Sequence, residues 1–187
     1  VYTMPSKFGR VFRVSIRPNP NNPQASIVSI ISRDKDKKLV VSPDTLKNNL
    51  STYLNESRLI SDAVDIVDVS VINLTMDYSV AVTGTANPDS VMQEINVKLK
   101  DFFRIENFQV GTPVIVSDIA NLIINTQDVV SLVSLEFKTI SGVHNENSYS
   151  SYSVPLSSIM NRGIINCPPG SIFEVKFPED DIVGRAG

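Results

Sequence analysis

The sequence predicts an α+β fold: a small α/β sandwich in which helices pack on a mixed or antiparallel sheet, with β-rich segments on either side. The first observation is composition, because the 187-residue chain has 24 Val and 19 Ile against 11 Leu, and β-branched residues favour strands. The second is that several stretches alternate apolar and polar residues, while others repeat apolar residues at helical spacing. We expect a β-rich hairpin segment at 1–41, a central α/β domain at 42–138, and a loop with a β-rich segment at 139–187.

The N-terminal segment predicts a β-hairpin with a long connection. Residues 11–17 alternate between apolar and polar side chains, which is the pattern of a half-buried strand. The apolar side chains that share one face are Phe12, Val14 and Ile16. The prolines in 18–23 lack the N–H that a strand ladder needs, so this stretch is the predicted connection. Residues 25–31 form the second strand, and the mixed charges of 33–38 indicate an exposed turn.

Three helices are predicted, and two of them begin with the same signal. Ser-Pro-Asp at 42–44 and Asn-Pro-Asp at 87–89 each place a capping residue before a proline and an acid. The first helix runs to about Glu56, with an apolar face of Leu46, Leu50, Tyr53 and Leu54. The second has one apolar stripe, which consists of Val91, Ile95, Leu99 and Phe102. Burying such a stripe contributes roughly 6–12 kcal/mol before entropy is subtracted. A shorter helix starts at Ser117 and carries Ile119, Leu122 and Ile123.

The longest β signal lies between the first two helices. Residues 72–82 alternate regularly, whereas Val67, Val69 and Val71 alternate in the opposite phase. A slip of one residue turns every side chain to the other face, so we expect a bulge or sharp bend near 71–72. A further strand spans 129–137, and its residues of one phase are Val133, Leu135 and Phe137.

The C-terminal part differs in composition from the rest. Residues 141–153 are rich in Ser, Asn and Tyr and poor in aliphatic side chains, which predicts a loop or mobile excursion. Cys-Pro-Pro-Gly at 167–170 is typical of a rigid turn, and 172–177 is the last predicted strand.

Charge and residue counts exclude several classes of protein. The formal net charge of −3 and the pI of about 5.2 argue against a nucleic-acid binder, which needs clustered positive charge. One Cys excludes an internal disulfide, and one His with one Cys cannot build a His/Cys zinc site. No apolar run approaches the ~20 residues that span a bilayer. Because the chain begins at Val1 without a charged-then-apolar leader, we expect a piece of a longer protein.

Residues with reactive side chains do not form a catalytic pattern. His144 lies in the polar stretch near the C-terminus, and no G-x-S-x-G motif accompanies it, so a solvated histidine is the preferred interpretation. Cys167 has no basic neighbour that would lower its pKa, which favours a small packed residue. Asp62, Asp65 and Asp68 are three residues apart and diverge on a strand, so no cation site and no cofactor are expected.

The one basic cluster of the sequence consists of Lys7, Arg10, Arg13 and Arg17. Arg13 and Arg17 fall on the polar face of the first predicted strand. Two interpretations stay open: such a row protects the edge of a sheet, or it makes an electrostatic contact with an acidic partner chain. Under the second interpretation the partner-contact residues are Arg10, Arg13 and Arg17.

The central region combines several features in one order. They are a helix at 46–54, Ser-Asp-Ala-Val-Asp-Ile at 61–66, a strand pair, a helix ending in Leu99, Phe102 and Phe103, a Gly at 111, a short strand with a Ser-initiated helix at 114–119, and an apolar strand at 129–137. This order, over residues 44–137, resembles the J-like baseplate wedge family of contractile-tailed phages. Within that family it is most similar to the C-terminal part of the large inner wedge proteins.

The resemblance implies an assembly protein of the virion and not an enzyme. Members of the family form homodimers, contact other baseplate wedge proteins, and close a ring around the central hub of the tail baseplate, which is assembled in the host cytoplasm. The resemblance implies no catalytic residue and no bound cofactor or metal. It also implies no small-molecule substrate and no contact with nucleic acid or a membrane.

A second hypothesis is a β-rich module that binds a ligand or carbohydrate in adhesion. Here the stretch 141–153, with Tyr149 and Tyr152, would supply a polar and aromatic contact surface. An enzyme is a more distant alternative, which only a convergent pocket around His144 would support.

Overall fold

The computed structural model describes residues 9–57 and 63–187 and confirms the α+β class. The chain divides into two compact units, Val1–Ser70 and Val71–Gly187. The boundaries predicted at 41/42 and 138/139 fall inside these units. The reason is that the first helix packs in the N-terminal unit, while the strand through residue 138 pairs in the C-terminal unit.

The N-terminal unit is a helix on a mixed sheet. Its elements are β1 (Arg13–Asn19), β2 (Asn22–Arg33), β3 (Leu39–Val40), α1 (Asp44–Ser57) and β4 (Ala63–Asp68). Strands β1 and β3 run antiparallel to β2, whereas β4 runs parallel to it. The helix buries its predicted apolar face against β2, in a core of Val28, Ile30, Leu46 and Leu50.

The hairpin of β1 and β2 is confirmed, but the long connection is wrong. Only Pro20 and Asn21 separate the two strands, and the N–H of Asn21 donates to Oδ1 of Asn19 over 2.9 Å. Pro18 lies inside β1, opposite Ser26. A proline is tolerated there because β1 pairs with β2 alone among the described strands, so its outer edge needs no N–H donor at that point.

The alternation predicted for β1 holds at one end of the strand only. Val14 packs against the core of the N-terminal unit, whereas Ile16 is 65% exposed. Helix α1 lies against β4, on the far side of β2 from β1. The outer end of β1 therefore lacks a helix above it, and the apolar side chain of Ile16 remains in water.

The start of α1 differs from the predicted cap. The carbonyl of Pro43 accepts the N–H groups of Leu46 and Lys47, over 2.9 and 3.2 Å, so Pro43 and not Ser42 holds the capping position. The buried hydroxyl of Ser42 is instead 2.9 Å from that of Ser32 on β2. Ser42 thereby connects the start of the helix to the sheet.

The phase change near 71–72 marks a change of sheet and not a bulge. Val69 ends the run of β4, and its buried N–H donates to the carbonyl of Ile30 over 2.9 Å. The next strand, β5 (Ser70–Val82), belongs to a different sheet. Residues on either side of Val69 therefore alternate against different cores.

The C-terminal unit is built around β5. The other elements are α2 (Pro88–Phe102), a 3₁₀ turn (Ile105–Asn107), β6 (Val114–Ile115), α3 (Val116–Ile124), β7 (Val129–Ile140), β8 (Val143–His144), β9 (Asn147–Ser148), α4 (Leu156–Ile159), β10 (Met160–Asn161), β11 (Ile164–Ile165), β12 (Ser171–Glu174), α5 (Pro178–Asp181) and β13 (Ile182–Ala186). Strand β5 pairs with β12, antiparallel with β7, and parallel with β13. The short strands form a β10-β11-β6 sheet and a β8-β9 hairpin.

The predicted core of this unit is confirmed except at Phe102, which is only half-buried, whereas Phe103 after it is buried. The even-numbered residues of β5 are buried from Ile72 to Val80, and the buried residues of α2 are Val91, Ile95 and Leu99. The side chain of Asn87 accepts the N–H of Asp89 over 3.0 Å, which is the predicted N-cap. Tyr78 of β5 donates its hydroxyl to Asn96 of α2 over 2.8 Å. Helix and sheet are thus joined by apolar burial and by a hydrogen bond.

Strand β7 contains two bulges that the alternation did not predict. Ser134 lies opposite Ser79, but Leu132 lies opposite the next residue of β5, which leaves Val133 without a partner in the ladder. A second shift of the register leaves Val130 without a partner in the ladder. Val133 is 67% exposed, so its predicted common phase with Leu135 and Phe137 is wrong. The extra residue of a bulge displaces its side chain from the face that the strand otherwise buries.

Part of the polar stretch 141–153, which was predicted as a loop, forms regular secondary structure. It contains the β8-β9 hairpin, whose turn residues Asn145 and Glu146 have φ values of 46° and 69°. Two successive positive φ angles are those of a type I′ turn, which fits the twist of a hairpin. The Cys-Pro-Pro-Gly turn is confirmed, since the N–H of Ser171 donates to the carbonyl of Pro168 over 3.0 Å. The strand after it ends at Glu174, and β13 was not predicted.

Candidate functional site

The three arginines predicted as partner contacts do not form one solvated row. Arg10 is exposed, but Arg13 and Arg17 are half-buried, and Nε of Arg17 is buried without a hydrogen-bond partner among the described atoms. Lys7, the fourth member of the predicted cluster, lies outside the described residues. Among these three arginines, Arg10 is therefore the exposed one.

Phe12 carries two guanidinium groups on its ring. The guanidinium carbon of Arg13 lies 4.2 Å from the ring centroid, and that of Arg33 lies 4.7 Å from it. Both distances are within the range of cation–π attraction. Arg33, which the sequence placed in an exposed charged turn, thus joins the basic cluster. The strand register explains this contact, because Arg13 lies opposite Ile31 and Phe12 is bonded through its N–H to the Ile31 carbonyl.

The acidic residues near α1 are already engaged with Lys47. Its Nζ lies 2.7 Å from Asp68 and 3.2 Å from Asp44. The hydrogen bond with Asp68 is the main cause that raises the pKa of Lys47. Asp65 instead accepts the side-chain amide of Asn19 over 2.8 Å. Asp65 and Asp68 therefore have different partners, and Asp62 lies outside the described residues.

His144 lies at one end of a shallow groove on the C-terminal unit. The groove has a volume of about 190 Å³ and is also lined by Lys138, Tyr149, Asp180 and Asp181. Nε2 of His144 is 2.8 Å from the carbonyl oxygen of Ser141. A volume of this size is below the ~300 Å³ at which small-molecule sites begin.

The titratable groups of this groove bond one another. Tyr149 donates its hydroxyl to Oδ1 of Asp181 over 2.7 Å, and Asn147 donates to Asp180 over 2.7 Å. Lys138 donates to Asp77 over 2.8 Å. Burial raises the pKa of Tyr149 to about 12, and burial also raises the pKa of Asp181. These contacts describe a structural network, in which the phenol stays protonated at neutral pH.

Cys167 is a packed thiol, as predicted. Burial raises its pKa to about 11, and its Sγ donates to the carbonyl of Ser171 over 3.1 Å. The thiolate is the reactive form of cysteine, so this side chain is a poor nucleophile at neutral pH.

The aromatic surface that an adhesion module would use differs from the prediction, in which Tyr149 and Tyr152 both contribute. Tyr149 is only 8% exposed because it packs its ring edge-on against Phe177, with ring centroids 5.3 Å apart. Tyr152 is 40% exposed. The polar stretch 141–153 thus offers one accessible tyrosine and not two.

The described residues offer neither a metal-binding group nor a membrane-spanning helix. Over 9–57 and 63–187, no three His, Cys, Asp or Glu side chains are grouped closely enough to hold a metal ion. None of the helices in this part of the chain has the length and apolar character needed to cross a bilayer.

Comparison with known proteins shows a likeness at the level of the fold. No protein-family model matches the chain, and no curated protein matches it. Among solved structures, the fold is similar to a chain of the anti-feeding prophage baseplate, determined by cryo-EM and 6-fold symmetrised, with a TM-score of 0.51 and 14% sequence identity. The similarity covers 69% of this chain, which spans only 30% of the length of that protein.

Proposed function

We propose that this chain is a structural component of a contractile-tail baseplate wedge. The observation that carries the proposal is the likeness of its fold to a baseplate chain over 69% of its length. The order of elements over 44–137, which resembles the J-like baseplate wedge family, supports the same function from the sequence alone. The two arguments agree: at 14% identity the structural likeness concerns the fold, and the resemblance over 44–137 concerns the order of the elements.

In this function the chain acts through contacts made by its exposed surfaces, and an interior cleft plays no part. The chain forms homodimers and inter-wedge contacts in a ring around the central hub, and it contacts other wedge proteins. A ring that closes by rotation requires two different, complementary patches on each copy. Exposed apolar side chains suited to such patches include Ile16, Val41, Val130 and Val133.

The same proposal places the chain in the virion tail after assembly in the host cytoplasm. It assigns no catalytic activity, cofactor, nucleic acid, membrane or small-molecule substrate to the chain. The bond between Tyr149 and Asp181 and the raised pKa of Cys167 agree with the first of these points alone, because neither the phenol nor the thiol is activated for chemistry.

Self-association tests the homodimer directly. Sedimentation velocity over a wide range of protein concentration should give a dimer or larger species at the highest concentration. A stable interface of this kind buries roughly 1,200–2,000 Å². A strict monomer at all concentrations, both for this chain and for the longer natural protein if one exists, would contradict the homodimeric contact.

A further inference from the structure

The N-terminal unit has an open groove between β2, β3 and the start of α1. Its volume is about 460 Å³. Arg10 and Arg33 contribute the charged side chains, while the apolar lining consists of Val40, Val41, Pro43 and Leu46. The two arginines are 23 positions apart in the sequence, and the fold brings them to the same groove.

The charge of the groove is positive. None of the described residues that line it is acidic. Asp44 stands beside it at the first turn of α1, where its carboxylate lies 3.2 Å from Nζ of Lys47, an ammonium that it shares with Asp68. Guanidinium groups stay ionised at every accessible pH and bind carboxylates through paired N–H donors. The groove therefore favours an anionic occupant.

The groove also presents apolar surface to solvent. Val41 is 65% exposed, and Val40 beside it is partly exposed. Apolar area in water favours a partner that covers it. An inorganic anion would leave these valines exposed, whereas a peptide segment with both acidic and apolar side chains would place carboxylates beside the arginines and cover the valines.

The walls of the groove are held by packing. A Cβ added to Gly9, whose φ is +101°, would lie 2.7 Å from Cδ1 of Leu46, so the segment carrying Arg10 approaches α1 closely. On the other side, the bond between Ser32 and Ser42 joins the sheet to the start of the helix. The ring of Phe12 lies under the guanidinium of Arg33 at 4.7 Å. These contacts preform the groove and lower the entropy lost on binding.

We infer that this groove binds an acidic, partly apolar segment of a partner protein, with carboxylates on Arg10 and Arg33 and an apolar side chain on Val41. The inference rests on the proposed function, to which it adds the chemistry of one partner. The eight residues before Gly9 contain Lys7 and no Asp or Glu. Charge complementarity therefore favours a different chain as the occupant.

Titration with a defined peptide tests the inference. The probe is the blocked peptide acetyl-Asp-Leu-Asp-Val-Asp-amide, added to the ¹⁵N-labelled chain and followed by amide shifts around Val41. We expect saturable shifts there, weakened by salt, and at least about tenfold weaker binding of the analogue with Asn in place of each Asp.

Variants assign the binding to the groove. Arg10→Glu should weaken binding about tenfold, and Arg33→Glu by a similar factor. Lys35→Glu is the matched control, because it makes the same charge change on an exposed residue that does not line the groove. Val41→Ser should weaken binding several-fold without any change of charge. Since Arg33 contacts Phe12, Arg33→Lys serves as a milder variant should Arg33→Glu unfold.

Several outcomes would overturn the inference. Equal binding of the Asp and Asn peptides would remove the electrostatic argument, and unchanged binding by Arg10→Glu would move the site elsewhere. An absence of shifts around Val41 would also contradict it. If the wild-type chain does not bind the peptide and Arg10→Glu loses the dimer, the occupant of the groove is a second copy of this chain and the inference is wrong. If the peptide fails to bind while the chain still assembles with baseplate proteins, only the groove inference fails and the proposed function stands.

Discussion

Gly184 on β13 lies directly against the ring of Tyr78 on β5, its partner in the parallel ladder. A Cβ at Gly184 would come within 2.4 Å of Cζ of Tyr78 and within 2.2 Å of the terminal carbon of Met92 on α2. A side chain at this point would require Tyr78 and Met92 to move. The glycine therefore allows β13, β5 and α2 to pack in contact.

Replacing this glycine should destabilise the C-terminal unit. We expect Gly184→Ala to lower the free energy of unfolding by about 1–3 kcal/mol, because Tyr78 and Met92 must move to accept the methyl group. Urea denaturation measures the change. Gly84→Ala is the control, since no atom lies within 4 Å of a Cβ there, and its effect should be within about 0.5 kcal/mol. Equal effects of the two variants would contradict the close packing of β13.

The hydrogen bond between Tyr149 and Asp181 gives a second prediction. Tyr149→Phe removes the donor to a buried carboxylate and should cost about 1–3 kcal/mol of stability. Tyr152→Phe, at the more exposed tyrosine, should change stability by less than about 0.5 kcal/mol. A cost for Tyr149→Phe no larger than that of the control would show that the hairpin β8-β9 is not held to α5 in this way.

The same tyrosine predicts a dependence on pH. Burial raises the pKa of Tyr149 from 10.0 to about 12, so the folded chain holds the phenol proton more tightly than the unfolded chain. Its contribution to stability is therefore complete below pH 10 and is lost as pH rises towards 12. Wild type should lose stability more steeply over this interval than Tyr149→Phe, in denaturation measured at each pH. Tyr78, whose pKa burial also raises, is present in both proteins and cancels in the difference. Parallel curves would contradict the assignment.

The bulges of β7 give a fourth prediction. Val133→Asp should change the free energy of unfolding by less than about 0.5 kcal/mol, because the bulge turns this side chain into solvent. Phe137→Ala, in the buried phase of the same strand, should cost about 3–5 kcal/mol. A large cost for Val133→Asp would mean that Val133 faces the core, as the alternation alone predicted.

The elements that the sequence predicted best carry long, regular apolar patterns. These are the stripe on α2 and the even residues of β5, most of which are buried. The start of α2 was also predicted, because Asn87 forms its cap from residues adjacent in sequence. Such features depend on neighbouring residues and on the spacing of apolar side chains, both of which the sequence contains.

The features that escaped prediction depend on residues distant in sequence. The register of β7 against β5 creates the bulge at Val133, and no property of Val133 itself indicates it. The turn of the β8-β9 hairpin uses Asn145 and Glu146 in place of the Gly that usually marks it. The basic groove likewise forms only when the β1-β2 pairing brings Phe12 under Arg33. The sequence placed Arg10 in the basic cluster but Arg33 in an exposed turn. The composition of a charged turn does not indicate which residues of other strands lie beside it.

The central claim is that this chain acts by assembling with other proteins of a contractile-tail baseplate. Native mass spectrometry of the natural chain, alone and mixed with the baseplate proteins encoded beside it, tests that claim most directly. We predict a homodimer in the first measurement and, in the second, a larger species of defined stoichiometry containing the homodimer. Masses in the mixture that equal those of the separate proteins, at concentrations where known wedge complexes form, would contradict the claim.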